Sequence, residues 1–153
     1  MTRAVIVCGA RWWGDMSLDP AGRPVDINNP EQRAFHLARA HAEKAGAVDE
    51  ISRVPDDCIV IHTPERGASM ELSMAATRRR LRLMTVPREV VIEVIIAMKT
   101  SGWVLKVLAA GSDPEIVDRL RSAGIHVTEV KALHPEPEPA GADEIDPEAP
   151  VSE

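Results

Sequence analysis

Two arginines stand just beyond short apolar runs. Arg11 follows Val5-Ile6-Val7-Cys8-Gly9-Ala10, and Arg66 follows Cys58-Ile59-Val60-Ile61 after four intervening residues. A guanidinium is a planar fork of N–H donors that matches phosphate and carboxylate oxygens, so the pair points to an anionic guest. His62 is a general acid–base candidate by residue type, but a lone histidine at a strand end serves more often as hydrogen-bonded structure. Trp12 and Trp13 are adjacent on one loop. Two such indoles do not easily both face inward, so one is expected in the core and the other stacked on a base or covering a crevice mouth. His36 and His41 lie five apart, off the four-residue step of a helical metal pair, and no cysteine sits near them. No metal or other cofactor is therefore expected.

These side chains must be held by a body whose charge is almost balanced. Of 24 acidic residues, seven fall in 134–153, a stretch without Lys or Arg; the first 133 residues carry 18 basic against 17 acidic groups. With no Tyr and one Phe there is no basic surface interleaved with aromatics, and nucleic acid is not an expected partner. The Pro-, Glu- and Ala-rich run 134–153 offers only Ile145 and Val151 for burial, too little to offset ordering entropy, and reads as an acidic disordered tail. Cys8 and Cys58 sit in apolar runs as small core residues, which suits a reducing compartment. The longest apolar stretch, 90–98, is interrupted by Glu93, no membrane span is expected, and the start does not read as a signal peptide. The expected location is cytoplasmic.

Period and punctuation then order the elements. Residues 4–8 read as a buried strand opening into a long loop, 10–29, rich in Gly, Pro and Asn. Asn29-Pro30-Glu31-Gln32 combines an N-cap, a proline at the first helical position and a Gln three residues past the cap. A helix is expected from there to about Ala45, with Ala34, Leu37, Ala38, Ala42 and Ala45 facing inward, Phe35 at the margin and Gly46 closing it. Strands are expected at 58–62, 81–86, 103–109 and 125–130, and helices after Ser69 to about Arg80, over 87–101 and over 113–123. Arg78, Arg79, Arg80 and Arg82 read as a solvated helix end. Strand and helix alternate throughout, which predicts an α/β fold: a Rossmann-like three-layer sandwich around a mostly parallel five-stranded sheet, spanning 1–133. In such a sheet ligands bind beyond the carboxyl ends of the strands. That rule singles out three loops, 9–14, 63–69 and 110–115, with backbone N–H groups at or near helix starts.

At these loops the chain resembles a known family. Val5-Ile6-Val7-Cys8-Gly9-Ala10-Arg11-Trp12-Trp13 is similar to the strand-T-G-S-R-x-W opening of the YspA-like, cpYpsA-related branch of the SLOG superfamily, and Ile61-His62-Thr63-Pro64-Glu65-Arg66-Gly67-Ala68-Ser69 to that branch's V-H-G-G-A-R-G-A-D. Ala110-Gly111-Ser112-Asp113-Pro114-Glu115, followed by Ala123-Gly124-Ile125-His126-Val127, occupies the place of its P-G-G-x-G-T segment and A-G-I-P-V strand. The resemblance spans about residues 3–131. It implies a Rossmann-like domain that binds nucleotides or nucleotide-derived ligands, with kinship to phosphoribohydrolases and to the DprA/Smf proteins. The residues expected to hold the ligand are Gly9, Ala10, Arg11, Trp12, His62, Thr63, Arg66, Gly67, Ser69, Gly111 and Ser112.

The glycine motifs are degenerate. Thr63-Pro64 stands where the family has two glycines, which removes one N–H donor and fixes φ near roughly −65°. Thr63 compensates through its hydroxyl or by capping a helix that begins at Pro64. Ser69 replaces the family's Asp, and Ala109 and Ala110 replace paired glycines. Hydrolysis of an N-glycosidic bond needs a carboxylate at the anomeric carbon, and Glu65, Glu71 and Glu115 are the available ones, with Glu115 and Glu71 the expected catalytic pair if any activity survives. The altered motifs favour binding, as in a sensor. The alternatives are phosphoribohydrolase-like hydrolysis and a ligand-free interaction protein that dimerises through the helix at 88–101, whose apolar residues exceed one sheet-facing stripe.

Overall fold

The computed structural model describes residues 3–111 and 114–134. Its elements follow the order β1 (Arg3–Gly9), α1 (Pro30–Ser52), β2 (Ile59–His62), α2 (Ala68–Arg78), β3 (Arg82–Thr85), α3 (Val91–Thr100), β4 (Val104–Ala110), α4 (Pro114–Ser122) and β5 (His126–Val130). The five strands form one sheet in the order β3-β2-β1-β4-β5, and every pairing is parallel. β1 is central and pairs with β4 over its full length, from Arg3 opposite Val104 to Gly9 opposite Ala110.

Because successive strand residues point to opposite faces, β1 feeds two cores. Val5 and Val7 join α1 and α2 residues Ala47, Ile51, Leu72 and Ala76 on one side. Ala4, Ile6 and Cys8 join α3 and α4 residues Ile92, Ile95, Ile116 and Leu120 on the other. The architecture is the expected three-layer α/β sandwich. Cys58 lies in the first core and Cys8 in the second, both buried. Among the described residues no helix is long and apolar enough to cross a membrane.

The start of α1 is as its sequence predicts. Asn29 Oδ1 accepts the N–H groups of Glu31 (3.0 Å) and Gln32 (3.2 Å), and Pro30 holds the first helical position. Its end and inner face differ from the expectation. The helix continues through Gly46 to Ser52, because Gly46 serves close approach rather than termination: a Cβ there would lie 2.0 Å from the Lys131 carbonyl oxygen. The segment leaving β5 crosses α1 at this notch, and the Leu133 N–H donates to the Ala42 carbonyl (2.8 Å). The buried stripe is Ala40, Glu43, Ala47 and Ile51 with Ala42 and Gly46 beside it, whereas Ala34, Leu37 and Ala38 are exposed and Phe35 is 66% exposed. A glutamate within the inward stripe hid it from a reading based on apolar spacing.

α2 starts at Ala68, not Pro64, with Gly67 as its cap and no side chain capping it. Arg79, expected on a solvated face, instead donates to the carbonyls of Ile51 (2.6 Å) and Val54 (2.7 Å) and so closes the end of α1. On α3, Val91, Ile92 and Ile95 are buried, while Val94 and Met98 pack on the second core. The surplus apolar surface on that helix therefore reduces to Ile96, with Val90 just before its first turn. The run expected to be a disordered tail lies, from residue 135 onward, outside the described residues.

Candidate functional site

The chain lays down β2 and β3 on one side of β1, then returns to the other side for β4 and β5. The strand order therefore reverses between β1 and β4, where loops diverge and ligands bind in open α/β sheets. At this point the strand ends are unusually close. Gly9 has φ +148°, and a Cβ there would lie 1.8 Å from the Ala110 carbonyl oxygen; the Ala10 N–H donates to that same oxygen (2.8 Å). Gly67, at φ +86°, leaves no room for a Cβ, which would lie 2.4 Å from the carbonyl oxygens of both Ala10 and Arg11. Only glycine meets both demands cheaply. The Ala68 N–H completes the contact by donating to the Ala10 carbonyl (3.0 Å).

The loops after β1 and β2 thus touch, which sets the backbones of Arg11 and Arg66 at one end of the molecule. Both residues are exposed, and among the described residues neither makes a hydrogen bond or ion pair. Gly111 lies against Ala10 and Trp12, so Gly9, Ala10, Arg11, Trp12, Gly67 and Gly111 are brought together. Ser112 lies outside the described residues.

The long loop over 10–29 is held by two residues that the sequence reading missed. From α1, Arg39 donates to the carbonyls of Trp12 (3.4 Å), Asp15 (2.9 Å) and Leu18, and to Glu43 Oε1 (2.6 Å). Glu43 in turn accepts the Gly14 N–H (2.7 Å). This ion pair is buried, with side chains 11% and 4% exposed, and each charge is compensated by its partner and by main-chain groups of the loop. The Arg39 guanidinium also lies 5.6 Å from the centroid of the Trp12 ring. Trp13 goes into the first core, while Trp12 packs partly buried at its edge. The signal was present as an Arg and a Glu four apart on the predicted helix, but that spacing is equally common on solvated faces.

The loop after β2 is tied internally. Ser69 Oγ accepts the Thr63 N–H (3.1 Å) and donates to the Thr63 carbonyl (3.0 Å), and the Thr63 hydroxyl donates to Glu65 Oε1 (3.0 Å). Thr63 and Ser69 are both buried. Their side chains shape the loop and satisfy each other rather than pointing free donors outward. His62 bridges β2 to β3: its Nδ1 meets the Thr63 carbonyl (3.0 Å) and its Nε2 the Thr85 hydroxyl (2.9 Å). Since a carbonyl only accepts, Nδ1 carries the proton.

The two catalytic candidates are separated by the sheet. Glu115 begins α4 on the second-core side; its side chain is 73% exposed and lies 3.8 Å from Arg88, which also pairs with Glu65 (3.1 Å). Glu71 is on α2, on the first-core side, only 9% exposed. It lines a cleft of about 250 Å³ with Trp13, Asp15, Met16, Lys44 and Arg66. Burial pushes the Glu71 carboxyl above the usual glutamate range, against the charges of Lys44 and Arg78. Burial also pushes Asp15 upward, but hydrogen bonds from the Ser17 hydroxyl and N–H outweigh it, aided by Arg66 and Arg39, and hold its carboxyl low. Among the described residues the Glu71 carboxyl accepts no hydrogen bond, although its N–H donates to the Gly67 carbonyl (2.9 Å), and Trp13 Nε1 is a buried donor with no partner. Lys44, Asp15, Met16 and Met70 were not foreseen at this site, because they come from α1, the first loop and α2 and meet only in three dimensions.

A larger groove, about 830 Å³, lies on the outer face of α1 between Phe35 and Leu133. Its floor is Ala38, Ala42 and Ala45, and its guanidinium, Arg39, is already engaged. The strand-end cleft, with unmet polar groups, is the better candidate for small-molecule chemistry. Comparisons with protein-family models, with curated proteins and with solved structures find no match to this chain.

Proposed function

We propose that the protein binds a nucleotide or nucleotide-derived anion at the carboxyl ends of β1 and β2, with Arg11 and Arg66 as its anion contacts. The observation that supports this reading is the contact of the two loops through Gly67, which brings the backbones of Arg11 and Arg66 together at the carboxyl end of the sheet, where Arg66 lines a cleft and both side chains are exposed without ion-pair partners among the described residues. Each charge-assisted hydrogen bond to a ligand oxygen contributes about 1.5–3 kcal/mol, enough for two arginines to dominate the affinity of a small anion. The resemblance of three loops to the SLOG superfamily points the same way.

Binding is favoured over hydrolysis. Glu71 and Glu115 stand on opposite sides of the sheet, so they do not flank one scissile bond as paired glycosidase carboxylates do. Calorimetric titration with AMP and ADP tests the reading. Saturable binding is expected, weakened about tenfold or more by Arg66→Ala and by Arg11→Ala. A wild-type protein that takes up neither nucleotide at millimolar concentration sinks it.

A further inference from the structure

The outer face of α1 carries an apolar surface that the domain itself does not use. Phe35, Leu37 and Val48 on the helix and Leu133 on the segment beside it are all exposed, Phe35 by 66%. One such side chain alone is ordinary. Four around a groove of about 830 Å³, floored by Ala38, Ala42 and Ala45, form the kind of patch that marks an interface. At 3.6 residues per turn, Leu37 and Val48 fall on one flank of this face and Phe35 on the other, with Ala34, Ala38, His41 and Ala45 between them. The surface is held in shape. The Phe35 ring stands edge-on to His36, 5.0 Å between centroids, and the Leu133 main chain is tied to the Ala42 carbonyl (2.8 Å).

The lining decides what covers it. Its one arginine, Arg39, is spent on Glu43 and the first loop, so an anionic guest finds no guanidinium to meet. The run 135–153 is a poor match for the same reason, with seven acidic residues, no Lys or Arg and only Ile145 and Val151 to bury. A second copy of α1 does match, because the face is complementary to itself: it bears a projecting ring, Phe35, and, ten residues along, a shallow floor at Ala45. We propose that the protein forms a two-fold dimer through the outer faces of two antiparallel α1 helices. A two-fold axis across the helix near His41 seats each Phe35 in the groove of the other copy over Ala42 and Ala45, and sets each Leu37 against Val48. Alanines at the centre let the helix axes approach to about 8 Å. The 23 residues of α1 extend about 35 Å, and a strip about 12 Å wide along them, broadened at Leu133, gives roughly 500 Å² a side. The total, about 1,000 Å², is at the threshold of a specific interface, so the dimer is a weak one that dissociates in the micromolar range. Self-association thus belongs to α1, not to α3, where Ile96 and Val90 alone are exposed apolar side chains of that size.

Sedimentation velocity on the full chain, from about 1 to about 300 µM, tests this and is expected to show a reversible monomer–dimer equilibrium. Phe35→Glu and Ala38→Arg, both at exposed positions, should each raise the dissociation constant about tenfold or more, while Ile96→Glu on α3 leaves it unchanged. Thermal melts confirm that each variant is folded; if one is not, the other decides alone. A chain that stays monomeric over the whole range overturns the proposal. So does a dimer that survives both α1 variants, or one that Ile96→Glu abolishes. A monomer in which Phe35→Glu speeds proteolysis within 135–153 gives the groove to the chain's own acidic run, and equally overturns the dimer.

Discussion

Two clusters at the carboxyl end of the sheet contain the same residue types and differ in what those residues have left to do. On the α3/α4 side, Arg88 sits between Glu65 and Glu115, the pairs are partly or largely exposed, and the neighbouring hollow is only about 210 Å³. On the α1/α2 side, Glu71, Lys44 and Arg66 surround a cleft without closing on one another, and Trp13 keeps an unmet donor. Composition alone does not separate the two. What separates them is whether the charges are spent: Arg88 is already paired with two carboxylates, whereas Lys44 and Arg66 are exposed and form no ion pair among the described residues.

That contrast breaks most sharply at the strut behind the α1/α2 cluster. Arg39→Ala strips Glu43 of its counter-charge and frees the carbonyls of the first loop, so a loss of about 3–5 kcal/mol is expected in urea unfolding, together with loss of nucleotide binding. A change below about 1 kcal/mol would mean that the loop stands without α1.

Glu71→Gln sharpens the comparison through pH. The folded carboxyl holds its proton more tightly than the unfolded one, so the native state carries the extra proton between the ordinary and the raised value. Wild-type stability therefore falls as pH rises through that window, and the Gln variant should be flat across it and more stable above it. Thermal melts from pH 4 to 8 read this out, and parallel profiles for the two proteins would contradict it. The smallest effect belongs to the opposite cluster. Glu115→Gln should shift stability by no more than about 0.5 kcal/mol and leave anion binding intact, since it removes a 3.8 Å pair that water screens. A marked loss of binding would move the site to that face.

Much of the scaffold was legible in the chain. Apolar runs bounded by Gly and Pro marked all five strands, and Asn29-Pro30 marked the start of α1. The glycines that bring the loops together, Gly9 and Gly67, stood where the motif reading put them. The errors share one origin. Gly46 reads as a stop and acts as a notch for the chain leaving β5, Glu43 falls outside the expected apolar stripe and yet lies under the first loop, and Arg79 reads as solvated and caps another helix. In each case the deciding partner lies 25 or more residues away, beyond any local pattern.

What the amino-acid order determined by itself was the alternation of strands and helices and, with it, the parallel sheet, because period and punctuation are properties of neighbouring residues. Which polar groups satisfy one another was decided by tertiary structure alone: Thr63 with Ser69, and Arg39 with Glu43 and the first loop. Hydrogen bonds and ion pairs act over a few ångströms of space, and only the folded chain determines which residues stand that close.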